Sequence, residues 1–452
     1  MKRFDKDRYL KKLKLKRFFQ NYSKYLYLGL SCFLVCVLEI YFAFSKFFVS
    51  REEEVVKTTV GNFIYGDIVI GAYIDGQYSS TIPGKNDGYV VEKIACDNDT
   101  IGEWNYEKWG LLTTNMTNRT KCNVYFKKGI KIAEKLDFLD TTGKCPTIND
   151  DGTSYITTSE SENSLLCSAP DVYGTSYYYR GNVTNNYVKF AGIYWRIIRV
   201  NGDGSIRMIY DGTVAHANGE ASDDRIIGQS AFNDKDDDNA YIGYMYGTPG
   251  SSTYKETHAN INDSTLKKYI DTWYKNNVKG TSYEKYIVDN IFCDDRSVSS
   301  NKEYPNLGYG SSRTTYRWYY GTGYNPNNEN LYVGFNCWQQ NDAFTVNDTI
   351  NGNGALTYPI GAITPDETIF AGGWSEDNLG YYLYSGVNYW ALGADNANIY
   401  TANIGVYNTG MARRARYVID IVGVKPVINI QSTVLKDGDG TMNNPYRLSV
   451  DS

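Results

Sequence analysis

Hydrophobic and polar positions alternate most regularly over residues 186–212, NYVKFAGIYWRIIRVNGDGSIRMIYDG. Two runs of period two joined by Asn201-Gly202-Asp203-Gly204 predict a β-hairpin, since Asn-Gly and Asp-Gly supply the positive φ that tight turns need. The same alternation, punctuated by Gly and Asp-Gly, runs through residues 60–78, VGNFIYGDIVIGAYIDGQY. The period lengthens at residues 264–278, STLKKYIDTWYKNNV, where Leu266, Ile270, Trp273 and Tyr274 share one helical face and Asn262 or Asp263 is placed to cap it. A second helix is expected over residues 283–292, capped by Ser282, with Tyr286, Ile287 and Ile291 inward. Thr364-Pro365-Asp366-Glu367 forms a capping box before a third, short helix. Strands return in YYLYSGVNYWAL, NIYTANIGVYN and VKPVINI. Strands, then helices, then short strands predict an α+β fold.

One stretch fits neither period. Residues 25–49 are predominantly apolar, with Glu39 inside the stretch and Lys46 near its end, and are long enough to cross a hydrocarbon layer of ~30 Å. Ten Lys or Arg against two Asp precede them in residues 1–24, leaving −13 for the rest of a chain whose formal net charge is −5. The positive-inside rule then predicts a single N-terminal transmembrane helix at residues 25–49 in contact with membrane lipid. It places residues 1–24 in the cytosol as a basic arm and the bulk of the chain outside the cell. A charged stalk follows at 50–57, then a small β domain at 58–128 and a linker at 129–168. A larger α+β domain occupies 169–430, with a tail at 431–452.

The cysteines suit an exported chain. Cys96, Cys122, Cys145, Cys167, Cys293 and Cys337 lie beyond the apolar stretch, and an even number there reads as disulfides. Several connectivities are open; sequential pairing keeps each bridge inside one expected unit. An acidic body argues against nucleic acid, which requires a basic footprint. Two histidines in 452 residues leave little for a His-based metal site. No Gly-x-Ser-x-Gly elbow, phosphate-binding loop or His-Glu-x-x-His motif occurs, so no catalytic residue is assigned.

Three segments bring a resemblance. Residues 58–98, 177–212 and 257–274 resemble a group of uncharacterised anchored surface proteins of gut Firmicutes. Ile363-Thr364-Pro365-Asp366-Glu367, then Tyr389-Trp390, then Gly423-Val424-Lys425-Pro426-Val427 resemble the closing stretch of bacterial C-type-lectin-like domains, which include formylglycine-generating-type and variable ligand-display domains. That resemblance implies a C-type-lectin-like domain at 169–430 with a long displayed loop before its last strand. In this chain Lys425 stands where Arg is usual, and Ala391-Leu392-Gly393-Ala394 replaces the usual Ser-rich stretch.

Two candidate sites follow from residue chemistry. Aromatic faces stack on sugar rings and Asn amides both donate and accept, so Trp374, Asn396, Asn398, Tyr400, Asn403, Tyr407 and Asn408 are candidate ligand contacts. The competing reading has the aromatics filling the core and the Asn residues making turns. Asp234, Asp236 and Asp238 alternate as Ca²⁺ ligands would, although Asn239 and Met245 break the EF-hand pattern and a solvated acidic loop is the favoured reading. The function expected is a membrane-anchored, non-enzymatic bacterial surface protein binding a glycan or protein ligand. A structural component of a cell-envelope or pilus-like assembly is the alternative.

Overall fold

The structure is a computed structural model that describes residues 10–17, 69–84, 89–105, 109–115, 120–128, 144–298, 314–318, 332–374, 376–397, 401–412, 414–431 and 435–448. The chain divides into two compact units, one of Met1–Val69 with Ile94–Cys122 and the other of Ile70–Lys93 with Asn123–Ser452.

The expectation of an α+β fold carried on a transmembrane helix is corrected. The chain is mostly β-sheet and 14 % helical. Among the described residues no helix is long and apolar enough to cross a membrane, which removes the support for a single-pass placement. Residues 25–49, where the span is expected, lie outside the described residues. Of the two expected middle helices only the first forms as expected, and the second accounts for part of the misreading. Residues 283–292 form only a short 3₁₀ turn at Glu284–Tyr286. Ile287 instead bridges to Ile430 and the Val288 amide donates to the Asn429 carbonyl, so pairing with a distant strand overrides local helical preference.

Strands are numbered β1 Val69–Ile74, β2 Gln77–Ser79, β3 Tyr89–Cys96, β4 Ile101–Asn105, β5 Gly110–Thr114, β6 Lys121–Lys128, β7 Ser164–Asp171, β8 Gly174–Gly181, β9 Tyr187–Phe190, β10 Ile193–Val200 and β11 Ile206–Gly212. In the first unit β4 and β5 pair antiparallel from Ile101↔Thr114 to Asn105↔Gly110. Trp104 is buried there edge-on to Trp109 at 5.5 Å, and the Cys96–Cys122 disulfide closes the segment at its ends. In the second unit β1 and β2 turn on Asp75 (φ 49°) and Gly76 (φ 82°), the paired positive φ values of an Asp-Gly hairpin.

The larger sheet of the second unit is built on the expected hairpin. β10 and β11 pair antiparallel, and the Asn201–Ser205 turn is closed by the Asn201 amide on the Ser205 carbonyl at 2.8 Å. β9 and β8 flank β10, while Val427–Ile430 pairs with β11 and with Ile360–Gly361. A second sheet runs Gln229–Ser230, Val422–Gly423, Tyr389–Ala397, Thr401–Val406, Arg414–Tyr417. Both strands of the hairpin are buried on both faces, so their polar positions do not reach solvent. Arg196, Arg199 and Arg207 therefore enter the core as partners of buried carboxylates and amides.

Helix α1, Thr265–Asn277, begins at Ser264, whose Oγ accepts from the Lys267 amide at 3.0 Å. The expected cap, Asp263, is used elsewhere: it sits in a two-residue strand opposite Met245 and holds Lys267 Nζ at 3.2 Å. Leu266, Ile270 and Tyr274 are buried, whereas Trp273 is half-buried. Helix α2, Pro365–Phe370, carries the expected Thr364–Glu367 capping box with Pro at its first turn. The other two cysteine pairs form as Cys145–Cys167 and Cys293–Cys337.

Candidate functional site

The aromatic and Asn-rich run chosen from sequence is mostly interior. Trp374 is 7 % exposed, and Tyr381, Tyr382, Tyr384, Tyr389 and Trp390 are buried. The strand Tyr389–Ala397 lies in the middle of its sheet, where Trp390 packs edge-on to Phe232 and its indole N–H donates to the Ser230 carbonyl at 2.9 Å. Asn403 is wholly buried and donates to the Ile242 carbonyl at 2.9 Å, so it braces two segments of the core. Asn396 is half-buried and donates to the neighbouring Asp395 carboxylate. Tyr407 is half-buried beneath the Arg416 guanidinium at 4.3 Å. Asn408 is exposed, with its backbone amide on Asn388 Oδ1. Asn398 and Tyr400 lie outside the described residues. The run is thus not one display surface: burial takes Trp374 and Asn403 from a ligand, and Tyr407 and Asn408 remain at the boundary.

The acidic loop disperses in the same way. Asp238 caps the short turn that follows, Oδ1 accepting from the Ala240 amide and Oδ2 from the Gly250 amide, each at 2.8 Å. Both of its oxygens serve backbone donors, while Asp234 is exposed and Asp236 half-buried. Among the described residues no three His, Cys, Asp or Glu side chains converge as a metal site.

A densely charged interior region lies under α2. Arg199 Nη1 donates to Asp171 Oδ2 at 2.8 Å and its Nε to Glu367 Oε1 at 3.2 Å, and Arg207 pairs with the same Glu367. Arg317 bridges Asp295 at 3.0 Å and Asp366 at 2.8 Å. Burial raises the Glu367 carboxyl pKa, but Arg207 and Arg199 outweigh it and hold the group below its ordinary value. All of these residues except Asp171, together with the Cys293 side of the disulfide, line a cavity of about 20 Å³. That is room for roughly one water. It is a charged joint between the core sheet and α2, too small for a substrate.

A second charged cluster surrounds Asp211. Arg225 reaches Asp211 Oδ1 at 2.8 Å, Lys425 Nζ stands 3.6 Å from the same oxygen, and Arg196 lies 3.9 Å from Oδ2. Three cations share one carboxylate, and Lys425 Nζ is buried with no hydrogen-bond partner. Burial pushes its amine from 10.5 down to about 7. Nearby, His216 places Nδ1 2.8 Å from Glu220 and Nε2 2.9 Å from Asp224, so both ring nitrogens are spent on carboxylates. The tripeptide His-Ala-Asn occurs twice, at residues 216–218 and 258–260, and both copies have a structural meaning. Asn218 Oδ1 accepts from buried Arg196, and Asn260 Oδ1 accepts from buried Arg296. In each case the Asn satisfies a guanidinium inside the core.

An accessible site lies on the outer side of α1. Thr265, Lys268, Tyr269, Thr272, Trp273 and Asn276 recur at helical spacing and line an open groove of about 450 Å³. Sequence reasoning placed Trp273 inward beside Ile270. The legible signal was the neighbouring stripe at 265, 268, 272 and 276, whose polar residues share the Trp273 side of the helix. Trp273 stands edge-to-face with buried Trp195 (6.3 Å, 69°) and Tyr210 (6.1 Å, 86°), which fixes its ring. Tyr269 leans over Gly228, where φ is +137° and an added Cβ would lie 2.1 Å from the tyrosine oxygen. Glycine at that position leaves the ring its place. The groove thus offers two positioned half-buried aromatic rings, three hydroxyls (Thr265, Thr272 and Tyr269), two amides (Asn276 and Asn277) and one ammonium, with no carboxylate among its lining residues.

Comparison with family models, with curated proteins and with solved structures finds no match to this chain.

Proposed function

We propose that this is a non-catalytic recognition protein whose groove along α1 binds a glycan, with a sugar ring against Trp273 and Tyr269. The observation that carries this reading is the combination of fixed, half-buried aromatic rings with hydroxyl and amide donors in an accessible groove. Apolar ring faces take the C–H side of a sugar, while Thr265, Thr272 and Asn276 supply partners for its hydroxyls. The interior offers a substrate less: the cavity under α2 admits a single water and its carboxylates are tied to arginines.

The test is a glycan array probed with the full chain and with Trp273→Ala. The reading expects saturable binding to a restricted set of glycans and at least a tenfold loss in the variant, about 1.4 kcal/mol. Equal binding by both proteins, or none by either, overturns it.

A second reading, a structural component that packs against neighbouring proteins, draws on the exposed Tyr417, Ile419 and Ile421 around one turn. That reading expects self-association or co-assembly that Ile421→Asp weakens and Trp273→Ala does not.

A further inference from the structure

We infer that the α1 groove selects glycans bearing an anionic group, with Lys268 as the residue that reads the charge. This inference rests on the groove being a glycan site. Two lysines stand side by side on α1 and are used in opposite ways. Lys267 is buried and held between Asp263 at 3.2 Å and Asp271 at 2.7 Å. Lys268 is exposed, lines the groove one residue before Tyr269, and makes no ion pair among the described residues.

The carboxylates of the helix therefore do not serve it. Asp271, three residues after Lys268, is engaged instead by the buried Lys267, whose Nζ donates to its Oδ2 at 2.7 Å. No residue lining the groove is acidic, in a chain whose formal net charge is −5. An ammonium left unpaired beside two aromatic rings is complementary to a sugar whose ring stacks and whose substituent is charged. A neutral sugar would meet the rings and hydroxyls but leave Lys268 without an anionic partner. Carboxylate, as in a uronic acid, and sulfate ester share the chemistry Lys268 reads.

The experiment titrates the full chain with three oligosaccharides: an oligogalacturonide, the same oligosaccharide with its carboxyls reduced to alcohols, and a sulfated oligosaccharide of similar length. The proteins compared are wild type, Lys268→Gln, Lys268→Arg and Trp273→Ala. Lys268 is exposed, so its variants keep the fold, which near-ultraviolet circular dichroism checks. The inference expects one or both anionic ligands to bind more tightly than the reduced one, with the preference weakening as salt rises. Lys268→Gln should cost the anionic ligand about threefold, the scale of an exposed ion pair, and leave the reduced one unchanged. Lys268→Arg should restore the preference. The carboxylated and sulfated arms tell which anion is preferred.

Equal binding of charged and reduced forms, lost in Trp273→Ala but indifferent to Lys268→Gln, overturns the charge preference and keeps the glycan site. A charge preference insensitive to Lys268→Gln overturns the role of Lys268. No binding of any of the three overturns this inference, and the array decides the glycan reading separately.

Discussion

Replacing Lys425 by methionine is expected to stabilise this protein and to remove part of its pH dependence. Lys425 Nζ is buried, has no hydrogen-bond partner, and shares Asp211 with Arg196 and Arg225. Burial lowers the amine pKa from 10.5 to about 7 in the folded chain. The unfolded chain thus holds that proton more tightly, and between about pH 7 and 10.5 stability rises with pH. Below about pH 7 both states are protonated and the full penalty is constant. A difference of ~3.5 pH units at ~1.4 kcal/mol each sets an upper limit of about 5 kcal/mol on the span. Methionine keeps the length of the side chain and its contact with the Tyr389 ring, over which Nζ lies at 5.1 Å from the centroid. Asp211 keeps both arginines, so no carboxylate is orphaned. A gain of about 1–4 kcal/mol near neutral pH is the scale seen when a strained buried charge becomes apolar. Urea unfolding of both proteins at intervals from pH 6 to 10 measures it. Wild type should gain stability across the upper half of that range relative to the variant. Parallel profiles, or a destabilised variant at pH 7, would refute the reasoning by showing that Lys425 is charged and well paired with Asp211.

Asp294 has the opposite sign: burial raises its carboxyl to about 7, so stability falls as pH climbs from 3.8 to that value. Asp294→Asn should flatten that decline in denaturant midpoints measured from pH 4 to 8. Gly228→Ala should cost about 1–3 kcal/mol, from a φ of +137° and a Cβ pressed on Tyr269, and should weaken glycan binding along with thermal stability. Asp238→Ala removes acceptors from the Ala240 and Gly250 amides and should lower stability by about 1–2 kcal/mol. Melting of wild type should be unchanged by a calcium chelator, because Asp238 is committed to those amides; a chelator-sensitive midpoint would contradict this.

Local order was largely legible in the sequence, and the environment of each side chain was not. The β10–β11 hairpin follows from strong alternation and an Asn-Gly-Asp-Gly turn, and α2 from its capping box, signals contained within a few residues. The three disulfides follow from proximity in sequence, each joining neighbouring cysteines of the exported-type set. The 283–292 helix failed because Ile287 and Val288 find partners near residue 430, which no local pattern discloses. The described part of the ligand run is mostly interior for a related reason. An alternation of Tyr, Trp and Asn looks the same whether a strand lies at an edge or in the middle of a sheet, and Tyr389–Ala397 lies in the middle. Arg196, Arg199 and Arg207 stand at charged positions of the hairpin, and buried Asp171, Asp211 and Glu367 draw them inward. Trp273 lies at the border between the buried and groove-lining stripes of α1, and only the packing of Trp195 and Tyr210 settles its side.

Hydroxyl-radical footprinting of the full chain, with and without saturating oligogalacturonide, tests the central claim most directly. Trp273 and Trp338 are both accessible, Trp338 at 50 %, and so provide a probe within the groove and one outside its lining. The account predicts that the oligosaccharide protects Trp273 and Tyr269 and leaves the oxidation of Trp338 unchanged. Protection at Trp338 or Tyr407 with Trp273 unaltered, or no protection anywhere, would contradict it.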